Sequence, residues 1–487
     1  MKSKASVLLV ILSFLVPLAA QEPVDSAMNA KIRDEGLNRS QVLRTFSQFT
    51  DVYGPRLTGG PAVKAAADYS AGMLKTWGLS DPRLDPWDFG RGWTLEKSTV
   101  EMVEPRYMPL IGYPEAWSAS TPGDIVATPV FIGNKTQADL DKMKGQLKGA
   151  IVLSQPIQDS FERIDRKQPT AFDEAVPIGQ PRPAAGASPF ITPVAMNKAI
   201  FDTGAGVVLR PNRGEHGTLF VLGRDNGDAA LPSVILSAEH YNMIARMLDA
   251  GVKVKLRVNV QTKFHTDDKN GYNVLAELPG SDLKDEVVMI GAHLDSWHAG
   301  TGAADNADGA AVALEAMRIL KSIGAKPRRT IRMALWSGEE EGLIGSNKYV
   351  QKYLSGDANK AARDKFDVYF NQDPGSGPIY GWYLENNSAV KPIFDAWLEP
   401  FKDLGARKNI SQPIGNTDHV SFIRGAGVAA FNAVQDYDLY DTRVHHTNMD
   451  TFERVNEKDL KQSAIVLASF AYHAAMRAEK IPNVQPK

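Results

Sequence analysis

Apolar residues follow three different patterns along the chain. Near the N-terminus they recur at i, i+3 and i+4 in residues 41–49 and 62–74, which predicts amphipathic helices. Short apolar runs then predict strands at residues 125–132, 149–153, 206–209, 233–236 and 252–260. A stretch rich in Pro, Gly and Ala at residues 177–189 interrupts these runs and predicts an exposed loop. We therefore expect the middle block to form a separate, mostly β domain.

After residue 270 the pattern alternates between strands and helices. Strands are predicted at residues 287–291, 330–336, 366–370 and 427–434, and helices at residues 309–323, 344–353, 390–401 and 460–476. The first of these strands is apolar at every position, as expected in a sheet that is covered on both faces. The pattern predicts an α/β fold, with a central sheet between helices and functional groups at the strand ends.

The first 20 residues have the pattern of a targeting segment. Lys2 and Lys4 precede an apolar stretch at residues 7–18, and Ala19 and Ala20 precede the polar Gln21. This predicts a secretory signal peptide cleaved near Ala20. A membrane anchor, the alternative, needs about 20 apolar residues. We therefore expect a secreted or periplasmic protein without a membrane anchor.

Composition narrows the possible chemistry. With 55 Lys and Arg against 57 Asp and Glu, the net charge of −2 provides no general attraction for nucleic acid or anionic membranes. The chain has no cysteine, which excludes disulfides, Cys-ligated zinc, iron–sulfur clusters and a thiol nucleophile. Any metal must therefore be bound by nitrogen and oxygen atoms.

Histidines and carboxylates follow four of the predicted strands, and another carboxylate lies in a Gly/Ala-rich loop that begins a helix. They are His293 and Asp295, Glu339–Glu341, Asp373, His445 and His446, and, in the loop, Asp305. Each alone has a structural explanation, such as a helix cap, an Asx turn or a charge that complements a helix dipole. Because the strand ends share one edge of the sheet, together they predict a single site.

This set of side chains suits a pair of divalent cations. Imidazole and carboxylate ligands without thiolates favour zinc, manganese or cobalt. Two such ions need a carboxylate shared between them, and a carboxylate that is not bound to metal must collect the proton of the attacking water. Adjacent glutamates at a strand end project differently, so one can bind metal while its neighbour stays free. Asp295 is placed to accept a hydrogen bond from the second ring nitrogen of His293.

Five ordered motifs resemble those of the co-catalytic dinuclear zinc exopeptidases, the superfamily of aminopeptidase Y and glutamate carboxypeptidase II. They occupy residues 291–297 (GAHLDSW), 302–306 (GAADN), 336–343 (WSGEEEGL), 371–373 (NQD) and 446–451 (HTNMDT). The likeness covers roughly residues 270–480, extends loosely to residues 51–60 (DVYGPRLTGG), and leans towards the carboxypeptidase Q-like branch. It implies a mixed central sheet with helices on both faces.

The resemblance also implies a role for each residue. His293 and Asp373 would hold one zinc ion, Glu340 and His446 the other, and Asp305 would bridge the two. Glu339 would be the general base and acid, and Asp295 would orient His293. A cis peptide bond is expected after Asp305. The remaining candidates, for substrate binding, are His445, Asp418 and His419.

Relatives with an insertion before the first metal-binding strand carry a protease-associated domain there, and residues 143–153 and 204–208 resemble its strands. We therefore predict a signal peptide at residues 1–20, a catalytic domain at 21–116 and 263–487, and a protease-associated domain at 117–262.

The function expected from this resemblance is that of a secreted metallo-exopeptidase acting on peptides or dipeptides. The sequence does not distinguish aminopeptidase from carboxypeptidase activity. The oligomeric state is also open, with a homodimer as one option. Two alternatives share the fold: a non-catalytic, receptor-like binding protein, and a glutaminyl cyclase-type transferase.

Overall fold

The computed structural model describes residues 22–133, 135–167 and 200–483. The predicted signal peptide and the predicted loop at residues 177–189 lie outside these ranges. The strands are β1 Ser80–Asp88, β2 Gly92–Glu104, β3 Met108–Pro109, β4 Gly112–Pro114, β5 Ile125–Ala127, β6 Val130–Phe131, β7 Ile151–Leu153, β8 Val207–Pro211, β9 Ser233–Leu236, β10 Lys255–His265, β11 Asn270–Leu278, β12 Leu283–His293, β13 Arg329–Trp336, β14 Phe366–Asn371, β15 Ser376–Tyr383 and β16 Ala429–Asp436. The α-helices are α1 Ser26–Asn38, α2 Val42–Ser47, α3 Pro61–Thr76, α4 Gln137–Leu147, α5 Ala238–Asp249, α6 Asp308–Ser322, α7 Ile344–Tyr353, α8 Lys360–Lys365, α9 Lys391–Leu398, α10 His419–Ala426 and α11 Glu457–Met476.

The largest sheet has seven strands in the order β1-β11-β13-β12-β14-β16-β15. The four central strands, β13, β12, β14 and β16, are parallel to one another, and the outer strands are antiparallel to their neighbours. The carboxyl ends of the central strands therefore meet at one edge, where ligand and active sites form in such sheets.

Helices cover both faces of this sheet. Alternate residues of a strand point to opposite faces, and on β12 the side chains of Val288 and Ile290 pack in one buried cluster with α6 and α11. The intervening Met289 packs in another cluster, with Tyr349 of α7 and Phe422 of α10. The predicted α/β fold with a mixed central sheet is confirmed.

The middle of the chain forms two further sheets. One is antiparallel, in the order β3-β2-β10-β5, and the other has the order β4-β9-β8-β7-β6. Strand β2 pairs with β10 along most of its length, and β4 pairs with β9. The strand pairing of this β-rich block, defined as residues 92–265, thus begins before residue 117.

Several predicted elements differ from the observed ones at their ends. The predicted strand at 125–132 is two short strands, β5 and β6. The predicted helix at 390–401 ends as an α-helix at Leu398 and continues as a 3-10 turn, Glu399–Leu404, because Pro400 has no N–H for an α-helical hydrogen bond. Among the helices that the structure describes, none is long and apolar enough to cross a membrane.

Candidate metal centre

The five predicted ligands converge at the carboxyl edge of the central strands. His293 is the last residue of β12, and the others follow the ends of β13, β14 and β16 or precede α6. They form two groups that share Asp305.

The first group contains His293, Asp305 and Asp373, all buried. His293 Nε2 lies 3.2 Å from Asp305 Oδ1 and 3.8 Å from Asp373 Oδ1. With metal–ligand bonds of about 2.0–2.2 Å, ligand atoms around a tetrahedral zinc ion are about 3.3 Å apart. The spacing of these three atoms is therefore close to that of a zinc site.

The second group contains Glu340, His446 and the other oxygen of Asp305. His446 Nε2 lies 2.9 Å from Glu340 Oε2 and 3.5 Å from Asp305 Oδ2. Asp305 thus directs one carboxylate oxygen to each group, as a bridging ligand must. His445 also has a ring nitrogen within 4.8 Å of ligand atoms of Asp305 and His446.

Polar atoms in these groups fit a pair of cations. Three buried atoms, His293 Nε2, Asp305 Oδ2 and Glu340 Oε1, have no hydrogen-bond partner among the described residues. An unsatisfied buried polar atom costs about 1–3 kcal/mol. Burial, together with the nearby Asp305, raises the pKa of Glu340 well above its usual range. Divalent cations at both groups would satisfy these atoms and offset the crowded negative charge.

Glu339 lies next to a ligand candidate, but its carboxylate belongs to neither group. Burial raises the pKa of Glu339 well above its usual range, and the nearby Asp373 and Asp418 raise it further. Its main-chain N–H donates to Asp295 Oδ1 at 3.4 Å. The side chain is therefore a half-buried carboxyl group with a raised pKa beside the two metal groups.

Asp295 supports the site through both its main chain and its side chain. His293 Nδ1 lies 3.0 Å from the main-chain oxygen of Asp295 and 3.7 Å from its carboxylate Oδ1. The carboxylate accepts hydrogen bonds from the Glu340 N–H at 3.2 Å and from the Thr58 hydroxyl at 3.0 Å. Thr58 in turn accepts the N–H of Gly338 at 3.0 Å. The carboxylate therefore anchors the turn that carries Glu339 and Glu340, a role that residue spacing alone did not indicate.

The backbone around Asp305 is held by neighbouring polar groups. The Asp305–Asn306 peptide bond is cis, as expected from the resemblance. The Asp450 carboxylate accepts the N–H groups of Ala304 at 2.8 Å and Asp305 at 3.1 Å. The Asn306 side-chain amide donates to the carbonyl of Gln372 at 2.8 Å, which ties the Asp305 turn to the loop that carries Asp373.

A buried arginine, Arg56, contacts the main chain next to the site. Its guanidinium donates to the main-chain oxygens of Leu294 at 2.7 Å, Thr301 at 2.8 Å and Gly302 at 2.8 Å. Burial lowers the pKa of Arg56 to about 10, and the nearby acids, with Asp450 foremost, oppose that decrease. Arg56 therefore links the residue that follows His293 to the residues that precede Asp305. Its only sequence signal was its place in the loosely matched segment at residues 51–60.

The three candidates for substrate binding differ in accessibility. His445 is partly exposed and its ring stacks on Tyr440, with centroids 5.2 Å apart. Partial burial lowers its pKa to about 3, and the neighbouring His446 acts in the same direction. Asp418 and His419 are fully buried: burial raises the pKa of Asp418 to about 7, and His419 Nε2 lies 3.2 Å from Glu385 Oε1. Substrate contact by these three residues stays a prediction.

We expect His298 to make stability depend on pH. It is buried where the segment after β12 meets the β-rich block, and its Nε2 lies 2.7 Å from the carbonyl oxygen of Pro114. Burial lowers its pKa to about 4, so between pH 6.5 and 4 the unfolded chain binds a proton that the folded chain does not. Stability should therefore fall as pH falls through this window, by up to about 3 kcal/mol at about 1.4 kcal/mol per pKa unit.

The pH dependence can be measured as thermal unfolding midpoints of wild type and His298→Gln, at pH 7 and pH 5. Glutamine keeps a donor for Pro114 but cannot titrate. The midpoint of the variant should fall less between the two values than that of wild type. An equal fall in both proteins would rule out His298 as the cause.

The chain is similar to known peptidases in both sequence and fold. Residues 273–471 match the model for peptidase family M28. Human carboxypeptidase Q is 24% identical over 456 residues, which cover 94% of this chain and 89% of that protein. The crystal structure of a peptidase M28 precursor from Shewanella amazonensis SB2B is 25% identical and superposes with a TM-score of 0.69, covering 95% of this chain and 99% of the other. A zinc aminopeptidase from Bacillus subtilis, 20% identical, has the same fold, with a TM-score of 0.60 over 91% of this chain and 96% of its own.

Fold, site and comparisons together define the class: the chain is a zinc-dependent metallo-exopeptidase of the dinuclear zinc type. Along nearly its whole length the chain resembles carboxypeptidase Q proteins, with 24% identity to the human and 25% to the bovine protein.

Proposed function

We propose that this protein hydrolyses the terminal peptide bond of peptides or dipeptides outside the cytoplasm. In this proposal His293, Asp305, Glu340, Asp373 and His446 hold the two zinc ions, and Glu339 transfers the proton. The observation that carries it is the position of Asp305, whose two oxygens lie 3.2 Å from His293 Nε2 and 3.5 Å from His446 Nε2. The signal-peptide pattern of residues 1–20 supports export of the enzyme.

Bound zinc ions would polarise the scissile carbonyl and lower the pKa of the attacking water. The carboxylate of Glu339 then accepts a proton from that water and donates it to the nitrogen of the leaving amine. A group that must hold a proton between two steps works best when its pKa is raised towards the working pH, and burial acts on Glu339 in this direction. Asp295 and Thr58 hold the Glu339 turn in place through their hydrogen bonds.

The domain arrangement belongs to the same proposal. Residues 117–262 are proposed as the core of an inserted protease-associated domain between two parts of the catalytic domain, 21–116 and 263–487. The pairing of β2 with β10 joins residues 92–104 of the first catalytic part to the strands of this insertion.

The proposal is tested by restoring zinc to the metal-free enzyme and following its products by mass spectrometry. The substrates are free dipeptides, N-acetylated peptides and C-amidated peptides. We expect zinc-dependent release of single terminal residues. Blocking one end of the peptide should abolish this release, and the end whose blocking does so is the terminus that the enzyme recognises. Cleavage only at internal bonds, cyclisation of N-terminal glutamine, or binding without hydrolysis would contradict the proposal.

A further inference from the structure

The loop that carries His446 is held from outside the central sheet. It leaves β16 after Asp436 and runs to residue 448, against the β-rich block. His293, by contrast, is the last residue of a central strand. The two metal groups thus differ in what positions their histidines.

The first contact between the loop and the β-rich block is strand-like. The Val221 N–H donates to the carbonyl of His446 at 3.1 Å, and the Asn448 N–H donates to the carbonyl of Leu219 at 3.1 Å, with an antiparallel bridge between Phe220 and Thr447. His446 has a φ of +63°, in the left-handed region that non-glycine residues rarely adopt. The hydrogen bond to Val221 fixes the main chain of His446 in this conformation.

The second contact comes from Asp165 and Arg166. The Asp165 carboxylate accepts the N–H groups of Leu439 at 3.1 Å and Thr442 at 2.8 Å. The Arg166 main-chain N–H donates to the Asp441 carboxylate at 2.8 Å, and its guanidinium binds the same carboxylate through Nε at 2.8 Å and a terminal nitrogen at 2.5 Å. These bonds hold the first half of the loop.

The Arg166 guanidinium also packs on the loop aromatics. It lies 4.8 Å from the ring centroid of Tyr437 and 5.4 Å from that of Tyr440. Tyr440 stacks on His445, whose ring is 3.6 Å from that of His446. A continuous set of contacts therefore runs from Arg166 to the second metal group.

We propose that Asp165 and Arg166 are positioning residues for the second metal group: they hold the loop so that His446 stays within reach of Glu340 and Asp305. This rests on the proposed role of His446 as a ligand. Side chains that position a ligand typically change metal affinity by about 10- to 100-fold when they are removed. Because His293 ends one central strand and Asp373 lies two residues after another, the loss of affinity should be confined to the second zinc ion.

The test uses the full chain with the substitution Arg166→Gln. Zinc is removed with a chelator and titrated back by calorimetry, and turnover is measured with and without excess zinc. We expect an unchanged dissociation constant for the zinc ion of the first metal group and a constant about 10- to 100-fold higher for the ion of the second group. Excess zinc should restore turnover. Arg166→Lys, which keeps the charge but not the bidentate geometry, should fall between Arg166→Gln and wild type.

A matched control lies in the same β-rich block. Arg210 binds the Glu115 carboxylate at 2.6 Å, and the two side chains are 16% and 22% exposed, against 18% and 19% for Arg166 and Asp441. Arg210→Gln should leave both zinc constants unchanged. If Arg166→Gln does not fold, Asp441→Asn breaks the same ion pair from the other side and should give the same selective loss.

His446→Ala separates the two possible failures. If it loses the second zinc while Arg166→Gln keeps wild-type affinity, the positioning role is wrong and the ligand assignment stands. If His446→Ala still binds two zinc ions with wild-type affinity, the ligand assignment itself is wrong. Equal weakening of both ions in Arg166→Gln would also overturn the positioning role.

Discussion

Replacing Glu339 with glutamine is expected to lower turnover by about 100- to 10,000-fold, the range for a positioned proton-transfer group, while both zinc ions remain bound. The amide has the same shape as the carboxylate but cannot accept the proton of the water. The Glu339 carboxylate belongs to neither metal group, and its N–H would still donate to Asp295. Turnover rates and zinc content by mass spectrometry measure the two effects separately.

The adjacent residue provides the control for this substitution. Glu340→Gln makes the same chemical change one position further on, at a side chain whose Oε2 lies 2.9 Å from His446 Nε2. It should lower zinc content, whereas Glu339→Gln should not. Near-normal turnover in Glu339→Gln, or loss of zinc from it, would remove the basis for the proposed proton transfer.

Replacing Asp305 with alanine is expected to weaken both zinc ions and abolish turnover. Asp305 is shared by the two metal groups, and its carboxylate directs one oxygen to each. The loss of affinity at both sites should exceed about 100-fold, the upper end for removing a supporting group, because a direct ligand of each ion is lost. Calorimetric zinc titration of the metal-free variant measures both constants.

Asp308, three residues further on, serves as the control for Asp305. It is also buried, and burial raises its pKa well above the usual range, but its carboxylate belongs to neither metal group. Asp308→Asn should therefore keep both zinc ions. An Asp305→Ala variant that retains either site at wild-type affinity would show that Asp305 does not bridge.

The central part of the fold could be predicted because its strands are buried on both faces. Strands β12, β13, β14 and β16 each contain a buried, largely apolar stretch, and the polar residues at and after their ends meet at one edge of the sheet. Strand β1 did not show the same signal, since its sequence, SDPRLDPWD, contains two prolines and several charged residues. The long pairing of β2 with β10 joins distant parts of the chain, which local periodicity does not report.

The contacts that support the site also could not be predicted from a local sequence pattern. Arg56 and Thr58 reach the loop after β12 from the other end of the chain. The position of Asp295 two residues after His293 indicated a hydrogen bond, but spacing does not distinguish the carboxylate from the main-chain oxygen that lies 3.0 Å from the ring. Similarly, nothing in the sequence near His446 indicated that Asp165 and Arg166 hold its loop.

We propose that one carboxylate-bridged pair of zinc ions occupies this edge of the sheet. Anomalous diffraction at the zinc absorption edge, from crystals of the zinc-loaded protein, tests it most directly. We expect two peaks about 3.5–4 Å apart, one beside His293 and Asp373 and the other beside Glu340 and His446, with Asp305 between them. A single peak, or two peaks that do not share Asp305, would contradict it.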